Sequence, residues 1–277
     1  MRCRSLLTDA GRDGSARYST RDFRLTKPIV SAKYYAARFS RNIREKGLRS
    51  AAVLVGKNLI WPYCVWLIRR RIQAHEQFDL KHGLDTQTPI PIRDLEIWEP
   101  AAQYAVHYEG AAIPLVHRIL RHLRTDLSRF TFIDLGSGKG RVLLVAAQYC
   151  FKSVIGLEFS KTLHDIAQAN LSNFVKQGLT QTPPTSINMD AGEFDFSQFT
   201  DKVVFCNNPF TATLALRILD NYELSLRKTG HEGILIYLSP IPPAVKKRLD
   251  TFHLNAQGSY LSHFGGFQKY YIYRISS

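Results

Sequence analysis

The chain has 277 residues, 45% hydrophobic and 22% charged; this is globular composition, with room for one large α/β domain and a further segment, and it excludes a disordered or fibrous protein. Cys3, Cys64, Cys150 and Cys206 show no C-x-x-C spacing, which argues against a disulfide framework or zinc site and fits a reducing, cytoplasmic compartment. The net charge of +14 is concentrated in residues 1–95, where Lys and Arg outnumber Asp and Glu by 19 to 8, against 18 to 15 over residues 96–277. Such asymmetry points to an anionic partner, nucleic acid or membrane lipid, unless the segment is simply a solvated basic one.

In chain order, residues 1–30 read as a disordered basic tail. Six arginines before residue 25 with no apolar core exclude a secretory signal, and Asp9, Asp13 and Asp22 count against a transit peptide. Residues 31–95 read as a basic helical segment ending in a linker. Their most apolar stretch, residues 51–68, would span roughly 27 Å as a helix, but Lys57, Asn58 and Pro62 interrupt it. Arg41, Arg44 and Arg49 precede it, and Arg69, Arg70 and Arg71 follow. Three readings stay open: a helix packed on the following domain, an interfacial helix with Trp61 and Trp66 at headgroup level, or a membrane span. The second makes residues 41–71 a contact for an anionic membrane surface. Residues 79–95, rich in turn formers, read as a connecting loop.

From residue 96 the pattern is that of one α/β domain. Helices are expected at 114–123, 140–150, 161–178, 212–226 and 243–252. Strands are expected at 129–135, 152–159, 185–189, 202–208, 232–239 and 265–276. Short apolar strands alternating with helices imply a Rossmann-like parallel sheet with helices on both faces. Ligands bind such sheets at the carboxyl ends of the strands. Cys150 and Cys206 lie in apolar runs and read as buried small hydrophobes. His107, His117 and His164 read as surface or structural residues, and no metal site is indicated.

The loop Asp134-Leu-Gly136-Ser137-Gly138-Lys-Gly140 joins the first strand to a helix. Its glycines allow unusual backbone angles and close ligand approach. The spacing G-x-G-x-G is neither the dinucleotide form nor a Walker loop. An acid two residues before the first glycine would repel a pyrophosphate and suits a ligand with a cationic amino group. The second strand ends at Glu158, placed to accept from ribose hydroxyls. The third ends at Asp190 and Ala191, a carboxylate and a backbone N–H placed for an adenine ring.

These residues resemble the class I, seven-strand S-adenosylmethionine (SAM) dependent methyltransferases over about residues 100–277. The resemblance implies SAM as cofactor, a seven-strand sheet with an antiparallel last strand pair, a glycine motif at Asp134–Gly140, a ribose acid at Glu158 and an adenine-site acid at Asp190. The run Val204–Phe210 resembles the N-N-F-A-F stretch of the non-SET histone lysine methyltransferases, and Tyr108-Glu109-Gly110 is similar to their Tyr-containing loop over SAM. Mitochondrial protein-lysine methyltransferases have a similar core and a basic, apolar N-terminal segment. Bacterial methyltransferases of unassigned substrate resemble the whole chain, including Phe78-Asp79 and Gly83-Leu-Asp-Thr86. Asn207-Asn208-Pro209-Phe210 is also similar to the N-P-P-F motif of amino-methyltransferases. That resemblance implies Asn207 as amide acceptor and as a cofactor-binding residue, Asn208 as carbonyl acceptor, Pro209 as a stiffener and Phe210 as a ring beside the substrate. The expected reaction is methyl transfer to nitrogen, with protein lysine as acceptor. The alternatives are a nucleic-acid methyltransferase and a non-catalytic SAM-binding protein associated with a membrane.

Overall fold

The computed structural model describes residues 77–88, 90, 110–207, 210–261 and 267–275, all within the compact unit Pro62–Ser277. The basic tail, residues 41–71 with their apolar stretch, Tyr108, Asn208 and Pro209 lie outside the described residues.

Seven strands form one sheet: β1 (Thr131–Leu135), β2 (Ser153–Glu158), β3 (Pro184–Asn188), β4 (Lys202–Cys206), β5 (Gly233–Leu238), β6 (His253–Leu261) and β7 (Phe267–Ile275). Their order is β3-β2-β1-β4-β5-β7-β6. The first five are parallel, whereas β7 runs antiparallel to both β5 and β6. The helices are α1 (Ile113–His122), α2 (Arg141–Ala146), α3 (Lys161–Lys176), α4 (Ala212–Thr229) and α5 (Pro243–Leu249).

The three central strands β1, β4 and β5 are buried along their whole length, so both faces need apolar cover. The two-residue period of the strands divides that cover. Phe132, Val203, Phe205, Ile234 and Ile236 face the cluster built with α1 and α2. Ile133, Leu135, Val204, Cys206, Leu235 and Tyr237 face the cluster built with α4 and α5. The chain steps from one side of β1 to the other between β3 and β4, and the carboxyl ends of β1, β2 and β4 meet at that switch point.

Helix ends follow local chemistry. Ser160 caps α3, its hydroxyl accepting from Leu163 N at 3.4 Å. The α4 helix runs three residues past the expected Leu226, because Arg227 and Lys228 suit a helix C-terminus and the stop is Gly230, at φ +68°.

Three expectations are corrected. Residues 79–82, expected in a loop, are part of a helical turn over 77–82, held by Phe78 against His82 and Phe174 with ring centroids 5.0 and 6.1 Å apart. Cys150 is exposed, whereas Cys206 is buried. The last helix stops at Leu249, not residue 252. The β6 strand was expected only as the partner that the resemblance implies: it lies at the sheet edge, and a register shift between Leu254 and Ala256 breaks its alternation. Among the described residues no helix is long and apolar enough to cross a membrane.

Candidate functional site

The glycine loop leaves β1 through three left-handed positions, Gly136 at φ +72°, Gly138 at +54° and Gly140 at +82°, where any side chain would be strained. It is fastened to the end of β2. The amides of Gly136 and Ser137 both donate to the Leu157 carbonyl at 2.9 Å, and the Gly138 amide donates to Glu158 Oε2 at 2.8 Å. Gly156 in β2 makes the seat: a Cβ there would lie 2.5 Å from Leu143 and 2.7 Å from Ser137. The Ser137 hydroxyl is buried and has no hydrogen-bond partner among the described residues.

Asp134 and Glu158, 2% and 3% exposed, end adjacent strands. The Asp134 carboxylate accepts no hydrogen bond from the described residues. Burial pushes its pKa well above the usual carboxylate range, and the nearby Glu158 charge adds to the rise. Burial also raises Glu158 to about 7, against the pull of backbone donors, among them Ser160 N at 2.9 Å. Two buried acids with no counter-charge among the described residues make a site that favours a cation.

Beside them opens a shallow cleft bounded by Gly136, Leu157, Phe159, Asp190, Ala191 and Phe210. Asp190 Oδ1 caps the 3-10 turn Ala191–Glu193 by accepting from Gly192 N at 2.7 Å. Its Oδ2 lies 3.7 Å from Arg217 Nη2, so the carboxylate is half committed within the protein. The Ala191 N–H has no partner among the described residues.

Asn207 follows β4, and its Oδ1 accepts from Gln268 Nε2 at 3.0 Å. Sequence reasoning missed Gln268, because nothing in the alternation of a terminal strand marks one of its residues as a neighbour of the β4 end. Phe210 is 6% exposed, so its ring is a buried wall and not a projecting one. It bounds both the cleft and a small apolar hollow shared with Cys206, Tyr222 and Tyr237. Of the histidines expected to be surface or structural, His107 lies outside the described residues; His117 Nδ1 lies 2.9 Å from Tyr149 Oη, and His164 Nδ1 2.9 Å from Ser186 Oγ.

A second group, also missed, grips the glycine loop from behind. Lys139 is wholly buried and donates to Asp85 at 2.8 Å. Arg141 Nε donates to Thr86 Oγ1 at 2.8 Å. The Thr86 hydroxyl and amide donate in turn to the two Asp79 oxygens, at 2.7 and 2.8 Å. Asn170 of α3 closes the group, donating to the carbonyls of Asp85 and Lys139 and accepting from Asp85 N, each at 2.9 Å. The only signal was the Phe78-Asp79 and Gly83–Thr86 resemblance, which said nothing of the contacts.

With this loop, these acids and this sheet order, comparison with known proteins is consistent. A family model described as the histone methylation protein DOT1 matches residues 99–223. That stretch is 125 of the chain's 277 residues, and over it the chain is similar to this family. It is also similar to a methyltransferase of Dictyostelium discoideum, the histone-lysine N-methyltransferase specific for H3 lysine 79, with 29% identity over 165 residues. That match covers 56% of this chain and 9% of the relative. Among solved methyltransferases, an RNA methyltransferase of Salinibacter ruber with S-adenosylhomocysteine (SAH) is 16% identical at a TM-score of 0.43, covering 61% of this chain and 95% of that one. The magnesium protoporphyrin IX methyltransferase of Synechocystis with bound SAM is 15% identical at 0.44, covering 59% and 77%.

Proposed function

We propose that this methyltransferase transfers a methyl group from SAM to a nitrogen acceptor, the amino group of a protein lysine. The observation that carries the cofactor is the buried Asp134–Glu158 pair, whose ionisation is costly until a ligand brings positive charge and hydroxyl donors to it. SAM has both, together with an adenine for the cleft.

Asp134 faces the amino group of the methionine part, and Glu158 accepts from the ribose hydroxyls. Gly136, Ser137, Gly138 and Gly140 let the main chain approach the ligand. Ala191 N–H and Asp190 serve the adenine, and Tyr108 is assigned to the cofactor by its likeness to the Tyr-containing loop over SAM. SAM supplies a methyl group already activated on sulfur, so the chain has to position and desolvate an amine. Asn207 Oδ1 and the Asn208 carbonyl accept from the amine and aim its lone pair. Phe210 walls the site from water, and Pro209 takes the stiffening role that the amino-methyltransferase resemblance gives it.

The acceptor class rests on the DOT1 family match and on the relative's histone lysine substrate. Because the chain spans only 9% of that relative, the lysine is carried over and the histone is not.

Titration of the purified chain with SAM, beside Glu158→Ala, tests the cofactor, and tritiated SAM with core histones and whole lysate tests the acceptor. Micromolar binding that the variant loses, with label in protein hydrolysates as methyl-lysine, is the expected result. No binding by the wild type would overturn the reading, and label in RNA would move it to a nucleic-acid acceptor.

A further inference from the structure

We infer that Arg217 is a positioning residue for base recognition, bracing the turn Asp190–Glu193 so that the cleft takes adenine in preference to an oxygen-bearing purine. The inference rests on reading the cleft as the SAM site, with Asp190 and the Ala191 N–H on the adenine.

The edge of adenine offers a donor, its exocyclic amino group, beside a ring nitrogen that accepts. Asp190 answers the first with a carboxylate and Ala191 the second with a backbone N–H, from consecutive residues of one short turn. In hypoxanthine both signs reverse: a carbonyl replaces the amino group, and the ring nitrogen carries a hydrogen. A turn that keeps its shape sets acceptor against acceptor and donor against donor, whereas a turn that yields can swing clear of the mismatch. Discrimination therefore depends on how firmly the turn is held.

Two side chains of α4 hold it from outside. Arg217 lies across the turn, with Nη2 3.2 Å from Glu193 Oε1 and 3.7 Å from Asp190 Oδ2. Asn221, one helical turn further on, donates to the Gly192 carbonyl at 3.3 Å. Within the turn, Asp190 Oδ1 accepts from Gly192 N at 2.7 Å, so Oδ2 is the oxygen for the adenine amino group. Gly192 is what admits the guanidinium. A Cβ there would lie 1.9 Å from Arg217 Nη2, 2.7 Å from Cζ and 2.8 Å from Nε, so the planar group rests on the bare face of the turn. Three residues before Arg217, Leu214 lines the same cleft. The brace and part of the cleft wall thus ride on one helix, which is the support a preorganised site needs.

The test needs no knowledge of the acceptor. SAH and its deaminated counterpart, S-inosylhomocysteine, differ only at the edge in question. Both are titrated into the full chain as wild type, Arg217→Ala, Arg217→Lys, Gly192→Ala and the double variant Arg217→Ala with Gly192→Ala. The wild type is expected to prefer SAH. Arg217→Ala should cut that preference about fivefold through weaker SAH binding, the upper reach of a half-exposed ion pair, with S-inosylhomocysteine within about twofold of wild type. Gly192→Ala keeps Arg217 in the chain but pushes its flexible end off the turn, and should reproduce the loss. Arg217→Lys keeps the charge without the flat fork and should fall between wild type and Arg217→Ala. The double variant should lose no more than either single one.

An unchanged preference in Arg217→Ala would overturn the inference. So would equal loss of both compounds, which would mark Arg217 as a general support of the fold, and so would additive losses in the double variant. A wild type that binds both compounds equally would remove the base-reading turn and the inference with it. One that binds neither would remove the cofactor reading itself.

Discussion

Lys139 lies in the middle of the glycine loop, wholly buried, and its ammonium meets Asp85 at 2.8 Å across 54 residues of chain. The group most exposed to ligand chemistry is thus anchored by a residue far upstream. Asp85→Ala leaves a buried cation without this partner, and a hydrogen bond to a charged group is worth about 2 kcal/mol. The expected outcome is a clear fall in the unfolding midpoint and about tenfold weaker SAM binding. Asp85→Asn, which keeps an oxygen acceptor, should lose less. Denaturant titration and calorimetry on both variants check this.

The same anchor sets where the domain can be cut. A fragment beginning at residue 96, where the sequence suggests a domain start, strips Lys139 of Asp85 and Arg141 of Thr86. It should fail to bind SAM. A fragment beginning at Pro62 keeps Asp79, Asp85 and Thr86 and should bind like the full chain. Side-by-side titration with SAM decides between them.

Asp134 and Glu158 predict a pH dependence with a definite sign. Both carboxyls sit above their ordinary values in the folded chain, so the folded state holds protons that the unfolded chain has released. Their contribution to stability therefore falls as pH rises from about 4.5 towards 7, the interval through which Glu158 is raised. SAM favours the ionised acids, so its binding should tighten over the same interval and release protons. Thermal melts from pH 5 to 8, with and without SAM, should show a ligand-induced shift that grows with pH. Glu158→Gln should flatten much of that growth, and growth unaltered in the variant would contradict the assignment.

Gly156→Ala tests the seat of the loop. Its Cβ would press on Leu143 at 2.5 Å and Ser137 at 2.7 Å, and overpacking of this kind costs about 1–3 kcal/mol. Because Ser137 belongs to the loop, SAM affinity should fall together with stability. Equilibrium unfolding and titration of one preparation measure the two effects.

Asn207→Ala separates cofactor from chemistry. It should leave SAM affinity nearly intact and lower the turnover number at least tenfold, the loss expected from one positioned hydrogen bond. Single-turnover transfer from labelled SAM, once an acceptor is found, gives the number.

Most of the sheet and the front of the site could be read directly, because their signals are local. The glycines, Asp134 and Glu158 lie within 25 residues of one another, at strand ends that apolar runs mark plainly. The features that escaped are made by long-range pairing. Asp79, Asp85 and Thr86 look like turn formers until α3 and the glycine loop close on them. Gln268 reaches Asn207 only because β7 runs backwards. The β6 strand hides because an edge strand needs little apolar content and its bulge spoils the period. Cys150 misleads in the opposite direction: an apolar neighbourhood in sequence is no guarantee of a covered position in space.

The Phe210 ring is the party wall between the cleft and a second, apolar hollow. Shaving that ring to alanine would knock two rooms into one, and it would do so beside a fold whose strands stay where they are. The protein therefore carries a ready template for orthogonal chemistry: a SAM analogue enlarged on the Phe210 side, too bulky for the native cleft, would fit the shaved variant and tag its acceptors selectively.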